Sequence, residues 1–269
     1  MVFNINIMIN NVTQYNYSNS PSFYSKKIKK NKLINPSNEN LKMVLGSNNI
    51  EIIRKIYNIA KQTNTDVFLF GGAVRDCLLG KTAQDLDFIV NGDALNFAKT
   101  LNSSDKNVFK KIFLKPSVKR ATVYTCNRSI DINPLNNNGE HIQGKLNIKK
   151  ALINNIKSKD FTINTMVLQI LEDTANNIKF KFIDIMRSKK DLKENKLRTV
   201  KNTSIDDDPI RALRGIRFKL KYNMKTENQT HFEINRGLKN PANKKNFYYY
   251  RLIREYYRII KTIFASLFK

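Results

Sequence analysis

One segment limits what this chain can fold into: an apolar run, two adjacent glycines and a short helix-forming stretch follow one another without a gap. The apolar run Val67–Phe70 has the character of a buried strand, and it ends at Gly71 and Gly72. Residues 73–79 favour a helix, and Gly80 stands where a glycine commonly ends one. The order predicts a strand, a tight turn at the glycines and a helix.

Two acids, Asp85 and Asp87, follow this helix at the start of a second apolar run. On a strand, residues two apart lie on the same face, so both carboxylates point the same way. Like charges this close repel unless a cation lies between them, and carboxylate oxygens suit magnesium. Together with glycines that let the backbone approach a phosphate, the pattern indicates a phosphoryl-transfer site. A hairpin with a polar edge is the alternative that these residues leave open.

A third acid, Asp131, lies within the short apolar run 129–132. If this run is a strand beside that of Asp87, the Asp131 carboxylate could help to hold a metal or accept the proton of an attacking hydroxyl. The alternative is an ordinary polar residue at the edge of a strand.

The charge of the chain favours a polyanionic partner. Lys and Arg number 48 against 22 Asp and Glu, which gives a net charge of +26. A field of this sign attracts nucleic acid. The alternative is a bias of the genome, because Asn and Lys are abundant throughout, as AT-rich coding produces.

Several classes of protein are excluded. With only two histidines, His141 and His231, a histidine-based zinc or acid–base centre is not expected. Cys77 and Cys126 are far apart, so we expect reduced, buried thiols. The chain has no Gly-x-x-x-x-Gly-Lys-Ser/Thr phosphate loop and no apolar run of membrane-spanning length, so we expect no membrane partner.

A second constellation follows Asp208, which is a good helix N-cap. Arg211, Arg214 and Arg217 recur at every third position and spread over roughly 120° of one helix face. Arginines placed so closely need an anion among them, and their forked donors match phosphate oxygens and base edges. With the Asp208 acceptor, they could read the edge of a base. The alternative is a solvated basic face.

Lys159 and Asp160 open another apolar run. This charged pair could contact a ribose or a phosphate, or it could be a surface ion pair at the start of a capped helix.

Taken in order, these segments resemble the class II tRNA nucleotidyltransferase and bacterial poly(A) polymerase family of the polymerase-β-like superfamily. The resemblance covers about residues 50–260 and is carried by residues 71–76, 79–80, 85–87, 160–164, 183–184, 191–192 and 207–218.

The resemblance implies an α+β fold in which a polymerase-β-like palm with a mixed sheet precedes a helical neck and a shortened C-terminal body or tail. We therefore expect a basic disordered arm over residues 1–45, a nucleotidyltransferase head over 46–175, and a mainly helical neck with the base-template helix over 176–269.

It also implies roles for the site residues. Asp85 and Asp87 would hold Mg²⁺, whereas Asp131 is a candidate third catalytic acid on its strand position alone. Gly71, Gly72 and Arg75 would meet the triphosphate, and Lys159 and Asp160 would lie near the ribose. Asp208 and Arg211 would act as a template for the base, with Arg214 and Arg217 helping at base and phosphates.

The implied reaction is attack of an RNA 3′-hydroxyl on the α-phosphate of a nucleotide, with two metal ions, releasing pyrophosphate. We expect CMP or AMP addition from CTP and ATP to the 3′ end of tRNA. Poly(A) synthesis and a shortened RNA-binding relative without activity are the alternatives, whereas the net charge disfavours transfer to a small molecule.

The sequence departs from the family pattern in three places. Ser158 and Lys159 stand where the family usually has two arginines. Residues 185–188 lack the glycine that often eases a hinge. The chain ends at Lys269, where family members usually continue into more helices.

The C-terminal segment predicts a helix with one apolar face that needs a partner, either the neck or another copy in a homo-oligomer. This face contains Ile253, Tyr256, Tyr257, Ile260, Ile263, Phe264 and Leu267. The Asn and Lys bias favours a plastid-encoded protein or the cytoplasm of an AT-rich bacterium.

Overall fold

The computed structural model of the protein describes residues 31–83, 85–171, 178–239 and 246–267. Its strands are β1 (Val67–Phe70), β2 (Leu86–Val90), β3 (Lys111–Lys115), β4 (Arg120–Tyr124), β5 (Ser129–Pro134), β6 (Val167–Leu171), β7 (Lys179–Ile183), β8 (Lys196–Leu197) and β9 (Lys225–Thr226). The first seven form one sheet in the order β3-β4-β5-β2-β1-β6-β7. In it β2 and β5 are parallel and the other described pairs are antiparallel, so the predicted mixed sheet is confirmed.

The described helices surround this sheet and extend it. They are α1 (Asn38–Leu45), α2 (Ser47–Gln62), α3 (Gly72–Leu78), α4 (Ala94–Ser104), α5 (Lys145–Lys157), α6 (Ser188–Lys193), α7 (Ser204–Asp207), α8 (Ile210–Tyr222), α9 (Asn228–Lys239) and α10 (Asn246–Leu267). Among the described helices, none combines the length and apolar character needed to cross a lipid bilayer.

The two faces of the sheet are covered differently. Alternate residues such as Leu86 and Phe88 are fully buried in the main core, together with apolar residues of α2, α3 and α4. The opposite face carries Asp87 and Ile89, and a smaller core forms there where α5 packs through Leu152. This smaller core includes Phe68 of β1, Ile89 of β2 and Val167 of β6, whereas Asp87 lies on the same face outside it.

The expectation of a disordered arm over residues 1–45 is wrong for its last part. Residues 1–30 lie outside the described residues, but residues 38–45 form helix α1. The Ser37 side chain caps this helix by accepting a hydrogen bond from the Asn40 amide, and Leu41 and Leu45 are buried. Burial of these two leucines on the head supplies the stability that the polar composition alone does not predict.

The expected end of the head at residue 175 falls within 172–177, which lie outside the described residues. The sheet continues beyond it, because β7 pairs with β6 along its whole length. The Asn38 side chain of α1 also accepts a hydrogen bond from the Phe180 amide of β7. The head therefore includes β7.

Helix α10 packs on α8, but not through the expected apolar face. Leu252 and Ile259 are buried together with Glu255, whereas Ile253 and Tyr257 of the predicted face are 61% and 67% exposed. The most exposed part of the predicted face thus points away from α8, and the side of α10 that carries Glu255 meets α8 through the ion pair with Arg217. Both cysteines are free thiols, as expected; Cys77 is buried, whereas the expected burial of Cys126 is wrong, because it is exposed.

Candidate active site

A cleft of about 680 Å³ lies between the Asp87 face of the sheet, α3, α8 and α10. The predicted site residues on its wall are Gly71, Gly72, Arg75, Asp85, Asp87, Lys159, Asp160, Arg214 and Arg217. Asp131, Asp208 and Arg211 are not on that wall. The sequence-based set is thus largely brought together, with three members outside the cleft.

The acids converge as the strand pattern predicts. Asp87 of β2 lies directly beside Asp131 of the parallel strand β5, so both side chains are on one face. Asp85 precedes β2 and lines the cleft with Asp87. Burial raises the pKa of Asp87 to about 6, and the charges of Asp131 and Asp85 act in the same direction.

Asp131 is exposed, and its Oδ1 accepts a hydrogen bond of 2.7 Å from the Thr122 hydroxyl of β4. The condition that its strand lie beside that of Asp87 is met, while its catalytic role stays a prediction. Within the part of the chain that the structure describes, no three His, Cys, Asp or Glu side chains form a ready metal site. Magnesium does not require one, because it is commonly held by one or two carboxylates together with substrate phosphates.

Gly71 lies next to the Asp87 carboxylate at the start of α3. Its φ of 73° favours glycine, and a Cβ built there would lie 3.9 Å from Asp87 Oδ2. The Gly71 amide donates to the Met166 carbonyl at 3.2 Å, which fixes the turn against the sheet. The backbone at Gly71 therefore approaches the acids without a side chain in between.

Arg75, expected at the triphosphate, is almost fully engaged inside the protein. Its Nε donates to Asp76 Oδ1 at 2.8 Å and one terminal nitrogen donates to Asn164 Oδ1. Its guanidinium carbon lies 4.6 Å from the centre of the Tyr222 ring and 5.3 Å from that of Phe218. Arg75 thus ties α3 to α8, and contact with a phosphate stays a prediction.

Asp160 is the centre of a buried network. It accepts hydrogen bonds from Arg214 Nε at 2.7 Å and Asn164 Nδ2 at 3.0 Å. Burial alone would raise the pKa of Asp160, but Arg214 and the hydrogen bonds lower it to about 2. Asp160 is therefore an anion bound to Arg214, and contact with a ribose stays a prediction.

Lys159 reaches over the Phe70 ring, with its Nζ 4.1 Å from the ring centre. Burial lowers the pKa of Lys159 to about 8, and the charge of Arg120 contributes, while Asp87 and Asp160 oppose the shift. Lys159 lines the same cleft as Asp85 and Asp87, and contact with a phosphate or ribose stays a prediction.

Asp208 and Arg211 have other partners than a base. Asp208 does not cap α8 with its side chain; its Oδ2 accepts from Arg251 at 2.5 Å. Arg211 donates to the backbone carbonyls of Ser158 at 2.8 Å and Lys159 at 3.3 Å. The N-cap expectation is wrong because the ion pair with α10 takes the carboxylate away from the helix end.

The arginines of α8 do not form a solvated basic face. Arg214 pairs with Asp160, and Arg217 Nε lies 2.9 Å from Glu255 Oε2 of α10. The anions that three close arginines require are thus partly internal carboxylates.

Sequence reasoning missed four basic residues of the cleft wall, which are Lys81, Lys221, Arg258 and Lys261. Two of them, Arg258 and Lys261, lie on α10, beyond the apolar face that the sequence pattern singles out. A signal for a polar side of α10 was present in the sequence. Glu255, Arg258 and Thr262 are three and four residues apart, so they share one side of a helix.

Comparison with known proteins agrees with this geometry. A sequence model of the family described as "Poly A polymerase head domain" matches residues 67–198. An A-adding tRNA nucleotidyltransferase from Halalkalibacterium halodurans is 28% identical over 190 residues, which are 69% of this chain and 43% of that protein. A CC-adding tRNA nucleotidyltransferase from Deinococcus radiodurans is 30% identical over 161 residues, or 57% and 40% of the two chains. The chain thus spans less than half the length of these relatives.

The solved structure of a Thermotoga maritima CCA-adding enzyme complexed with tRNA has the same fold. It superposes with a TM-score of 0.66 at 24% identity, covering 88% of this chain and 54% of that one. The family match, the relatives and the shared fold agree with one another. Residues 67–198 match the poly(A) polymerase head domain, and the chain is similar to tRNA nucleotidyltransferases and poly(A) polymerases that add nucleotides to RNA 3′ ends.

Proposed function

We propose that this chain adds nucleotides to the 3′ ends of RNA, with tRNA as the substrate, and releases pyrophosphate. The observation that carries the proposal is the cleft in which Asp85, Asp87 and Gly71 face the arginines of α8. A phosphoryl-transfer site needs acids that hold a cation, backbone free of side chains beside the phosphates, and cations around the leaving group. The relatives that add A or CC to tRNA support the choice of RNA.

We propose Mg²⁺ as the metal, held by Asp85 and Asp87 and by the phosphates of the nucleotide. The donor set fits, because both groups offer hard oxygen ligands. Burial raises the pKa of Asp87, and the nearby charges of Asp131 and Asp85 add to this, so a bound cation would stabilise the ionised acids. Bound magnesium would neutralise charge on the phosphates and ease deprotonation of the attacking hydroxyl. Asp131 lies beside Asp87 in the sheet, and its role in the proposal is to accept the proton of the attacking RNA 3′-hydroxyl.

The nucleotide would lie with its triphosphate beside Gly71 and Gly72 and with its base towards α8. Lys81, Lys221 and Lys261 supply positive charge on the cleft wall for the phosphates. Reading of the base by Asp208 and Arg211 requires both to exchange partners, since each has an internal one. Arg251 and the carbonyl of Ser158 would then be released as the base enters.

The test is incorporation of labelled CTP or ATP into tRNA that lacks its last three nucleotides, with magnesium present. We expect incorporation, and the lengths and bases of the products distinguish CCA, CC-only, A-only and poly(A) addition. Tight RNA binding without incorporation by the wild-type protein would instead support the shortened relative without activity.

A plastid, or the cytoplasm of an AT-rich bacterium, is the proposed location, and the support is the abundance of Asn and Lys in the sequence. Mapping the coding sequence to a plastid or bacterial genome tests this.

A homo-oligomer through α10 is part of the proposal. Tyr250, Ile253 and Tyr257 are each more than 60% exposed on one side of α10, with Phe264 two turns further on. Their spacing of three and four residues is the pattern that pairs helices. We expect light scattering to show a dimer that Ile253→Glu converts to a monomer, while Phe232→Glu, at an exposed position of α9, leaves the mass unchanged. A wild-type monomer at all concentrations would contradict the prediction.

A further inference from the structure

A strip of exposed basic and aromatic side chains continues the Asp131 face of the sheet to its edge. In the sheet register, Phe113 of β3 lies opposite Thr122 of β4, and Thr122 lies opposite Asp131. Residues two positions away on these strands share the same face. We call this strip the β3–β4 surface; it consists of Lys111, Phe113, Lys115, Arg120 and Tyr124.

Side-chain contacts agree with this assignment of the face. The Thr122 hydroxyl donates a hydrogen bond to the Asp131 carboxylate, so these two side chains lie on the same face of the sheet. Lys115 Nζ lies 5.7 Å from the centre of the Phe113 ring. Arg120 is paired with Lys115 in the register and lies two positions from Thr122, so it is on the same face.

The surface is open and lacks negative charge. Phe113 is 53% exposed and Tyr124 is 40% exposed, whereas Ala121 and Val123 on the other face are buried. Between Asp105 and Asp131 the sequence contains seven Lys and Arg residues and no acid. Two large aromatic rings left in water on a basic strip indicate a ligand with flat apolar rings and negative charge.

The distance to the acids suits the end of an RNA strand. Neighbouring strands are about 4.8 Å apart, so Phe113, two strands from Asp131, lies roughly 10 Å from it. A stacked strand advances about 3.4 Å per nucleotide, so this distance is that of roughly three nucleotides. An RNA whose 3′-hydroxyl lay at Asp131 would place its preceding bases over Phe113 and Tyr124.

We propose that the β3–β4 surface binds the single-stranded 3′ end of the RNA substrate. Bases stack on Phe113 and Tyr124, and Lys111, Lys115 and Arg120 contact the phosphates. This inference rests on the proposed function, since it places the substrate of the same site. Exposed aromatic residues interleaved with basic ones on a sheet suit single-stranded RNA, because its bases are free to stack.

A protein strand added to the edge at β3 fits less well. Lys111 and Lys115 project from this edge strand, and lysines on an edge hinder pairing with another strand. A duplex fits less well too, because its bases are already stacked on one another. An RNA with a single-stranded tail therefore separates the proposed ligand from a duplex.

The test compares two RNA hairpins, one blunt and one with a short single-stranded 3′ tail, by fluorescence anisotropy with the full chain. In the wild-type protein we expect the tailed hairpin to bind more tightly. Loss of stacking by Phe113→Ala or Tyr124→Ala raises the Kd for the tailed hairpin roughly 5- to 150-fold and leaves that for the blunt one unchanged. Phe113→Tyr keeps a ring and retains the preference.

Phe232→Ala is the matched control, because Phe232 is 59% exposed on α9 and lies outside the β3–β4 surface. We expect it to change neither Kd, and the melting temperatures of all variants to match the wild type. Three outcomes overturn the proposal. In the first, the wild type and both alanine variants bind the tailed hairpin with the same Kd. In the second, the alanine variants weaken binding of the blunt hairpin equally. In the third, Phe232→Ala weakens binding of the tailed hairpin as much as they do.

The two proposals fail separately. If the wild type incorporates nucleotides and Phe113→Ala leaves the KM for RNA unchanged, the surface is refuted while the enzyme stands. If the wild type shows the Phe113-dependent preference for the tail but incorporates nothing, the enzyme is refuted while the surface stands.

Discussion

Asp87→Asn is expected to lower the rate of nucleotide incorporation about a thousandfold or more. Loss of a carboxylate that would hold the catalytic metal removes several kcal/mol of transition-state stabilisation, and about 4 kcal/mol corresponds to three decades in rate. Single-turnover incorporation with saturating RNA and CTP or ATP measures it. Glu51→Gln, an exposed position on α2 away from the cleft, is the matched control and should retain the wild-type rate.

The stability of the same variant separates a lost ligand from a damaged fold. The pKa of Asp87 is raised in the folded state, by burial and by Asp131 and Asp85. Above pH 6 its ionised form therefore opposes folding, and a neutral amide of the same size removes this opposition. We expect the free energy of unfolding of Asp87→Asn to equal or exceed that of the wild type without metal. A variant that is both inactive and clearly less stable would contradict the assignment.

The local part of the site could be predicted from sequence. The order of apolar run, glycines and alternating acids is a short-range pattern, and it placed Gly71, Asp85 and Asp87 correctly on one side of the sheet. The same alternation put Asp131 on a strand, but only the sheet order shows that this strand lies parallel to β2.

The partners of the charged residues could not be predicted, because they come from distant parts of the chain. Arg217 pairs with Glu255 and Asp208 with Arg251, and neither pair has a local signal. Each arginine of α8 was therefore read as free for a ligand. A ligand that binds these arginines would have to share them with internal partners or displace those partners.

The remaining wrong predictions, for α10 and α1, have their cause in tertiary packing. The apolar side of α10 was assigned by counting its large side chains, yet burial follows Leu252 and Ile259, which flank the Glu255 ion pairs. Helix α1 was missed because its surroundings are polar and only two of its residues reach the core. The order of strands β3, β4 and β5 also lay beyond the sequence, and it is this order that leaves the β3–β4 surface beside the acids.

Asp160→Asn is expected to lower the free energy of unfolding by about 3–5 kcal/mol, the usual effect of removing one partner of a buried ion pair. Asp160 is 5% exposed and accepts from Arg214, Asn164 and the Phe161 amide. Without its charge, the Arg214 guanidinium has lost its nearest anion. Urea denaturation at pH 7 measures the change. Asp206→Asn is the control, because the Asp206–Arg236 pair is 40–50% exposed and should contribute less than about 1 kcal/mol.

The pH dependence of the free energy of unfolding gives a second test, because the direction of the change is fixed by the pKa of Asp160. The pKa of Asp160 falls to about 2 on folding, so its contribution is complete above the unfolded-state pKa near 4 and is lost as the pH falls from there towards 2. The difference in the free energy of unfolding between the wild type and Asp160→Asn should therefore shrink as the pH falls from about 4 towards 2. Adding Arg214→Gln should recover part of the loss, since the unpaired cation is then gone. The prediction fails if Asp160→Asn and Asp206→Asn lower the free energy of unfolding equally, or if the double variant is no more stable than Asp160→Asn. Either result would show that the buried pair does not hold α8 to the head.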